Sequence, residues 1–593
     1  MAHQFHIPVL GLGYSIDTPL KVARYGISSV VSIVDDELTE RMRAYHAELN
    51  GLAYIAITKK TPNYRQNRIT AYLNLINELV NQQFEQLKQQ EFVAGNDICR
   101  YFELLPETAQ LKQGYDLMLD YPEGEHKRIF QNILRRRMKV GAIDVNIMAK
   151  VDKLNYSSAD EYLGDENTDA LAALKGFAES EVQSAVVLSA GMNPRLYSYL
   201  EKFDVFFADD NGHFKKKIIL KVSDFRSAFI QAKFLAKKGL WVSEFRIESG
   251  LNCGGHAFAT DGYLLGPILE EFRQKKAEML AELHQLYANA LLVKGAVSAE
   301  LPQQLLSVQG GVGTALESEF LLKHYQVNSI GWGSPFLLVP EATNVDQATL
   351  VQLTSATESD YYLSNSSPLG ILFNNFKGSG IEAQRLERIA KGRPGSPCTK
   401  KYLCTNTEFT AQSICTASRE YQNLKIKQLN TLSLSLQELG IQYNKITEKV
   451  CLCEGLCASN YIKAGIVKPK ESKAVAICPG PNLAYFSKIY SLDEMVNHIY
   501  GKVNLLAGVK RPNFFIKELN LYVDYLQAEI ELQLKELNDK KQKQLAKFKS
   551  QLLEGVDYYK SLFNQLSNQP IFNKAQFYNE LLVSENILNS TIV

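Results

Sequence analysis

Apolar residues recur along this chain in short runs, each followed by a stretch with helical spacing. The runs fall at 7–12, 28–34, 142–148, 185–189, 217–222, 242–247, 305–309 and 329–332. Several are continuously apolar, as parallel strands covered on both faces are. Eight such runs with helices between them predict an α/β chain folded as a (β/α)8 TIM barrel. A doubly wound open sheet is the other arrangement this pattern allows. After the first run, Thr18-Pro19 opens a short helix, with Thr18 as N-cap and Pro19 at the first helical position.

Two stretches break the rhythm. Residues 37–135 are too long for one crossover and carry apolar positions at helical spacing, most clearly over 69–90, so they read as a helical insertion after strand two. The chain beyond 345 is polar and loop-rich, then cysteine-bearing, then helical, with 515–566 rich in Leu, Lys, Gln and Glu. The expected organisation is a barrel from 1–36 and 136–345, the insertion 37–135, a post-barrel segment 346–510 with a cysteine cluster, and a helical region 511–593. The last region is expected to pack on the barrel or on a second subunit, which would make the chain a homo-oligomer.

Bulk properties narrow the function classes. At 593 residues the chain exceeds one simple core. Its net charge of +1 gives no global field to recruit nucleic acid or an anionic membrane. No apolar run reaches the roughly 18 residues that would span a bilayer, and the start lacks a basic-then-apolar leader. The odd count of nine cysteines argues against a secreted disulfide framework. The expectation is a cytoplasmic protein acting on a small molecule.

The candidate chemistry lies at the ends of the runs. Gln309-Gly-Gly-Val-Gly-Thr314 and Ile330-Gly-Trp-Gly-Ser-Pro335 follow strands seven and eight. Glycine turns there present backbone N–H groups to a phosphate, through Gly310 and Gly311 on one side and Gly333 and Ser334 on the other. After strand six comes Glu248-Ser-Gly-Leu-Asn-Cys-Gly-Gly-His256. Gly254 and Gly255 let backbone approach a flat ligand, and His256 titrates near neutral pH. His213, in a polar turn between strands four and five, and Asn193-Pro194 after strand four could also reach the mouth; both suit plain turns equally. Cys451, Cys453, Cys457 and Cys478 offer four thiols for zinc or an iron–sulfur cluster, with Cys398, Cys404 and Cys415 a looser upstream group. Buried free thiols are the plainer alternative.

This succession resembles the nitronate monooxygenase family of FMN-dependent barrel enzymes, which includes FMN-dependent enoyl reductases. The resemblance rests on Asn252-Cys-Gly-Gly-His256, Gly310-Gly311, Gly333-Ser334, Asp144-Val-Asn146-Ile147, Ser367-Pro-Leu-Gly370 through Asn374, and Gly11-Leu-Gly13 through Thr18-Pro19. It covers roughly 5–35 and 140–375. It implies FMN held by Gly11, Gly13, Asn146, Lys221, Gly254, Gly255, Gly310, Gly311, Gly333 and Ser334. Lys221 would face the flavin's N1 and O2 edge, and His256 would act at the flavin face. Three departures point to an altered substrate pocket. Asn252 and Cys253 replace the family's acid and alanine, Ala257-Phe258 replaces its small residue and glycine, and the post-barrel arginine is missing. The implied activity is an FMN-dependent oxidoreductase acting on a small or medium organic substrate, similar to nitronate monooxygenases. An FMN-dependent enoyl-thioester reductase, drawing on a pyridine nucleotide, is a second expectation. A flavin-retaining scaffold that binds a partner is the third.

Overall fold

The computed structural model describes all residues except 1, 149–151, 158–160, 253–261, 297–299, 534–538, 567–573 and 593. Eight strands, β1 (Phe5–Ile7), β2 (Ser28–Ser32), β3 (Ile143–Ile147), β4 (Ala185–Leu188), β5 (Lys217–Val222), β6 (Val242–Glu248), β7 (Leu305–Gln309) and β8 (Ser329–Gly331), pair in sequence order. All pairs are parallel and β8 returns to β1, so the barrel is closed. The expected TIM barrel is therefore observed. Strand one differs from the expected span. It ends at Ile7 because Pro8 has no N–H for the ladder, and the following apolar residues leave the wall for the mouth.

Helices between the strands cover the outer face. Those bearing on the site are α1 (Asp36–Leu49), α2 (Tyr64–Gln89), α3 (Asp169–Ala178), α4 (Phe225–Ala236), α5 (Leu265–Val293) and α6 (Ala315–His324). Asp35, Asp224 and Thr314 cap α1, α4 and α6 with side-chain oxygens that accept from backbone N–H groups. Within the stretch 37–135, the long helix α2 buries Ile69, Tyr72, Leu73, Ile76 and Val80 against the ring, where it packs on α1 and α3. That stripe of apolar side chains at three- and four-residue spacing is what makes it helical and seats it.

Beyond the barrel lie a two-stranded antiparallel ribbon, β9 (Tyr361–Ser364) with β10 (Phe373–Phe376), and helix α7 (Leu452–Lys463). Three long helices follow, α8 (Phe514–Gln533), α9 (Asp539–Gln565) and α10 (Lys574–Ser590). They pack on one another and on α5. Their apolar stripe, including Phe515, Leu519, Tyr522, Leu526, Leu552, Val556 and Tyr559, is buried within this chain. Among the described residues no helix is long and apolar enough to cross a membrane.

Candidate functional site

Side chains alternate along a strand, and the barrel register decides which set faces inward. The pairs Asp144 with Val30, Ser307 with Arg246, and Gln309 with both Glu248 and Gly331 place these residues on one face. Val9, Val30, Ala185, Val187 and Ile219 form a small apolar cluster inside. The rest of the interior is polar, which is unusual for a fold whose interior layers are normally branched aliphatics.

Two tiers of polar groups result. In the lower tier Arg246 donates from Nε to Glu244 Oε1 at 2.9 Å, and its Nη2 lies 3.8 Å from Asp144 Oδ2. Ser307 donates to Glu244, and Ser184 and the Ala185 N–H donate to Asp144. Burial works against the Arg246 cation, but Glu244 and Asp144 outweigh it and hold its pKa up. Burial pushes the Asp144 carboxyl up, and Arg246 reverses this only in part because Glu244 is its closer partner. Beside them, His6 accepts or donates through Nδ1 to Ser329 Oγ at 3.0 Å. Its pKa is driven well down by burial and then by Arg246, so the ring is neutral.

The upper tier faces the mouth at the C-terminal ends of the strands. Lys221 Nζ donates to Glu248 Oε1 at 3.0 Å, and the same oxygen accepts from Asn252 Nδ2 at 2.7 Å and Gln309 Nε2 at 2.8 Å. Asn146 completes this tier on β3. Asn146 Oδ1 is buried and has no protein partner among the described residues, whereas Gln309 Oε1 faces the His6 ring. Buried polar atoms seldom stay unpaired, so Asn146 Oδ1 is poised for a ligand.

The turn after β7 runs through Gly310 and Gly311 at φ of 109° and 81°, a region side-chain-bearing residues rarely enter. A Cβ on Gly310 would stand 2.9 Å from the Asn252 nitrogen. The turn is braced from outside by Arg511. Its Nη2 donates to Gly311 O at 2.7 Å, its Nη1 to Glu317 Oε1 at 2.6 Å, and its Nε to Asn482 Oδ1 at 2.8 Å. Ser334 Oγ accepts from the Gly480 N–H at 2.9 Å.

Post-barrel residues form a roof over this end of the barrel. Gly13 donates its N–H to Leu456 O at 3.0 Å, Asn374 Nδ2 to Asn252 O at 3.1 Å, and Asn482 Nδ2 to Val312 O at 3.0 Å. Lys400 pairs with Asp35. The roof thus touches the ends of β1, β2, β6, β7 and β8. Gly480 is its tightest point. A Cβ there would lie 2.5 Å from Leu251 O and 2.6 Å from Ser334 Oγ. Gly480→Ala is expected to cost about 1–3 kcal/mol by overpacking, read as a lowered thermal midpoint; an unchanged midpoint would show that the roof is loose. On the β4–β5 side a cleft of ≈ 610 Å³ opens between Gly191, Met192 and Ser223 of the barrel, Ile371 and Leu372 of the roof, and Tyr525 of α8.

The structure brings Asn146, Lys221, Gly310, Gly311 and Ser334 to one end of the barrel, as the sequence suggested, with Gly333 between β8 and Ser334. Gly11 and Gly13 also lie there, but the side-chain side of Gly13 is filled by α7, with Leu456 O at 3.0 Å from a built Cβ. Gly254, Gly255 and His256 lie outside the described residues. His213 is exposed on a turn whose backbone bonds to Asp209. Asn193 caps the helix Pro194–Tyr199 by accepting from the Leu196 N–H. The four expected metal thiols are not one set. Cys457 lies apart, against Asp35 and Lys400, while Cys451, Cys453 and Cys478 share a buried cluster with Cys398, Cys404 and Cys415. The spacing misled because Cys453 and Cys457 share one face of α7 but stand one turn apart, about 6 Å along its axis, so one reaches the cluster and the other reaches Asp35 and Lys400. Sequence reasoning also passed over Arg246, Glu248, Gln309 and Arg511. The signal for the first two was present: Glu244, Arg246 and Glu248 alternate with Phe245 and Ile247 along the strand.

No family model matches this chain, and no curated protein matches it in sequence. Among solved structures it is similar to the enoyl reductase domain of MlnA from Bacillus amyloliquefaciens, at 14% identity and a TM-score of 0.32 over 69% of this chain and 87% of that one. FabK from Thermotoga maritima is similar at 12% identity and a TM-score of 0.29, over 68% and 83%. A nitroalkane oxidase from Streptomyces ansochromogenes is similar at 9% identity and a TM-score of 0.33, over 86% and 99%. At these values the likenesses fix neither substrate nor cofactor for this chain.

Proposed function

We propose that this chain is an FMN-dependent oxidoreductase of the nitronate monooxygenase kind, acting on an organic substrate at the roofed end of the barrel. The observation that carries the proposal is the upper polar tier, where Asn146 Oδ1 is buried without a protein partner in the same tier as the paired Lys221. These residues fit a flavin. Gly310, Gly311, Gly333 and Ser334 would supply backbone N–H groups for its phosphate, and Asn146 and Lys221 would hold the polar edge of its ring. When bound, FMN supplies the electron chemistry, and the protein supplies orientation and electrostatics.

Lys221 stays in place because Glu248 holds it, and Glu248 is itself held by Asn252 and Gln309. His256 is assigned the proton work on the substrate. It would take the α-proton of a nitroalkane, or hold the nitronate by a hydrogen bond. The β4–β5 cleft, whose walls include none of the residues of that tier, supports a second reading in which a longer substrate reaches the barrel end. Its walls include Met192, Ile230, Ile371, Leu372 and Tyr525, which suit a longer acyl chain. There His256 would instead give a proton to an enoyl thioester.

The purified chain is expected to be yellow and to release FMN on heating. Lys221→Met removes a charge-assisted bond of about 1.5–3 kcal/mol, and so should weaken FMN binding by about 10–100-fold. Equilibrium titration of folded apoprotein measures this. A colourless protein that takes up no FMN would sink the proposal. Turnover of nitroalkanes, against pyridine-nucleotide-dependent reduction of enoyl thioesters, separates the two uses; flavin without either leaves the scaffold.

A further inference from the structure

Between α1 and α2 the chain reads Leu52-Ala-Tyr-Ile-Ala-Ile57, six residues without charge, glycine or proline. Such a run suits a covered strand. Here five of the six are exposed, Ile55 by 85%. Leu49, at the end of α1 just before the run, is exposed by 63%.

The run is straight and firmly held from one side. Residues 52–58 form no helix, turn or bend, and no φ among them is positive. The Leu52 N–H donates to Ala47 O at 2.8 Å and the Ile57 N–H to Glu40 Oε1 at 2.8 Å, so the run passes back along α1. Arg43 donates to Ile55 O at 2.7 Å, and Arg68 on α2 donates to Ile57 O at 2.8 Å. The Arg43 guanidinium lies over the Tyr54 ring, 4.5 Å from its centre, and the Tyr54 hydroxyl donates to Glu40 at 2.8 Å.

In an extended chain the N–H and C=O of one residue point to the same side, and that side changes at each step. Ile55 and Ile57 turn theirs toward α1 and α2. Tyr54 and Ala56 therefore turn theirs outward, and among the described residues the main-chain groups of these two have no protein partner. The run is thus a strand with one edge bonded to its own chain and the other open. Open apolar edges recruit another strand, and proteins block them with charge, proline or a bulge. Lys59, Lys60 and Pro62 stand only beyond the end of this one.

We propose that this edge is the two-fold interface of a homodimer, in which the run pairs antiparallel with the same run of a second copy. The open groups set the register. Tyr54 of one copy faces Ala56 of the other, each such pair exchanging both main-chain bonds, and Ile55 faces Ile55 across the axis as the close, non-hydrogen-bonded pair. The most exposed side chain of the run then sits at the centre. Charge suits the same arrangement. Glu48 precedes the run and Lys59-Lys60 follows it, all three exposed. Antiparallel pairing sets the acidic end of each copy beside the basic end of the other. A second copy has that match by symmetry, which favours it over an unrelated strand. Because the edge is already held straight, pairing orders little new chain. The C-terminal helices, where the sequence suggested a second subunit could pack, bury their apolar stripe within this chain instead. The edge lies outside the barrel and needs no flavin, so the dimer stands or falls apart from the FMN proposal.

Light scattering on the full-length protein over a dilution series tests this. The expected mass is twice the 66.7 kDa of one chain at the concentrated end, falling toward one chain on dilution. Ile55→Asp sets like charges against each other at the axis and should leave single chains only. Its side chain faces solvent in the single chain, so the fold is kept, which circular dichroism checks. Ile55→Cys gives a second, positive readout. A non-hydrogen-bonded antiparallel pair sets its Cα atoms about 4.5 Å apart, within reach of a disulfide. This variant should become a covalent dimer on mild oxidation, whereas Val293→Cys, 90% exposed at the end of α5, should not. A wild-type mass of one chain at every concentration would overturn the proposal. A dimer that survives Ile55→Asp and yields no cross-link in Ile55→Cys would overturn it as well, by placing the interface elsewhere.

Discussion

Arg246→Met is expected to lower the unfolding free energy by about 3–5 kcal/mol, because it leaves two buried carboxyl groups without their cation. Arg246 is 3% exposed and lies between Glu244 and Asp144 inside the barrel. Methionine matches much of its volume, so packing loss is the smaller term. Adding Glu244→Gln should recover most of the deficit, since the pair is then removed rather than broken. A pH series gives the sign. Burial already sets the folded pKa of Asp144 above its unfolded value. A carboxyl of this kind stabilises the fold below the unfolded pKa and loses that contribution as pH rises through the folded one. Without Arg246 that folded value rises further, so the variant's deficit should shrink on acidification. Urea denaturation of the single and double variants at two pH values measures all of this. A single-variant loss under about 1 kcal/mol would mean that water, not Arg246, balances the acids.

Most of the barrel was legible because parallel strands buried on both faces read as apolar runs. β5 and β7 fall where the sequence placed them, and only β1 moved, at Pro8. The interior tiers were harder to see. In β6 Glu244, Arg246 and Glu248 alternate with Phe245 and Ile247, a pattern that only a period-of-two reading isolates. The roof was not legible at all, because its contacts join positions far apart in the chain. Gly480 and Ser334 are separated by 146 residues, and neither carries a local mark of the other. The cysteines fail for the same reason. Spacing groups Cys451, Cys453 and Cys457, while folding groups Cys451 with Cys398.

Glu518→Ala is expected to cost on the order of 3 kcal/mol or more, since three buried donors would lose one acceptor. Glu518, on α8, accepts from Ser249 Oγ at 2.7 Å and the Gly250 N–H at 3.2 Å through Oε1, and from the Leu265 N–H at 2.7 Å through Oε2. It therefore clasps both flanks of the segment that carries Gly254, Gly255 and His256, and caps α5 besides. The carboxyl is buried, and burial raises its pKa against the pull of its three donors. Its folded pKa lies above its unfolded one, so its contribution to stability is full below the unfolded value and declines as pH rises through the folded value. Glu518→Gln keeps one acceptor oxygen and cannot titrate. The stability gap between wild type and Glu518→Gln should thus shift in favour of wild type as pH falls from 8 toward the ordinary glutamate range near 4.5. A gap that stays flat would mean the carboxyl does not titrate as a buried acid. If His256 does the proton work, Glu518→Ala should lower turnover more than FMN affinity, because the proposed phosphate turns follow β7 and β8 while Glu518 bonds to Ser249, Gly250 and Leu265 on the flanks of the segment after β6. Equal losses in both would instead place the clasp in general stability, and the C-terminal helices would then serve the fold rather than the site.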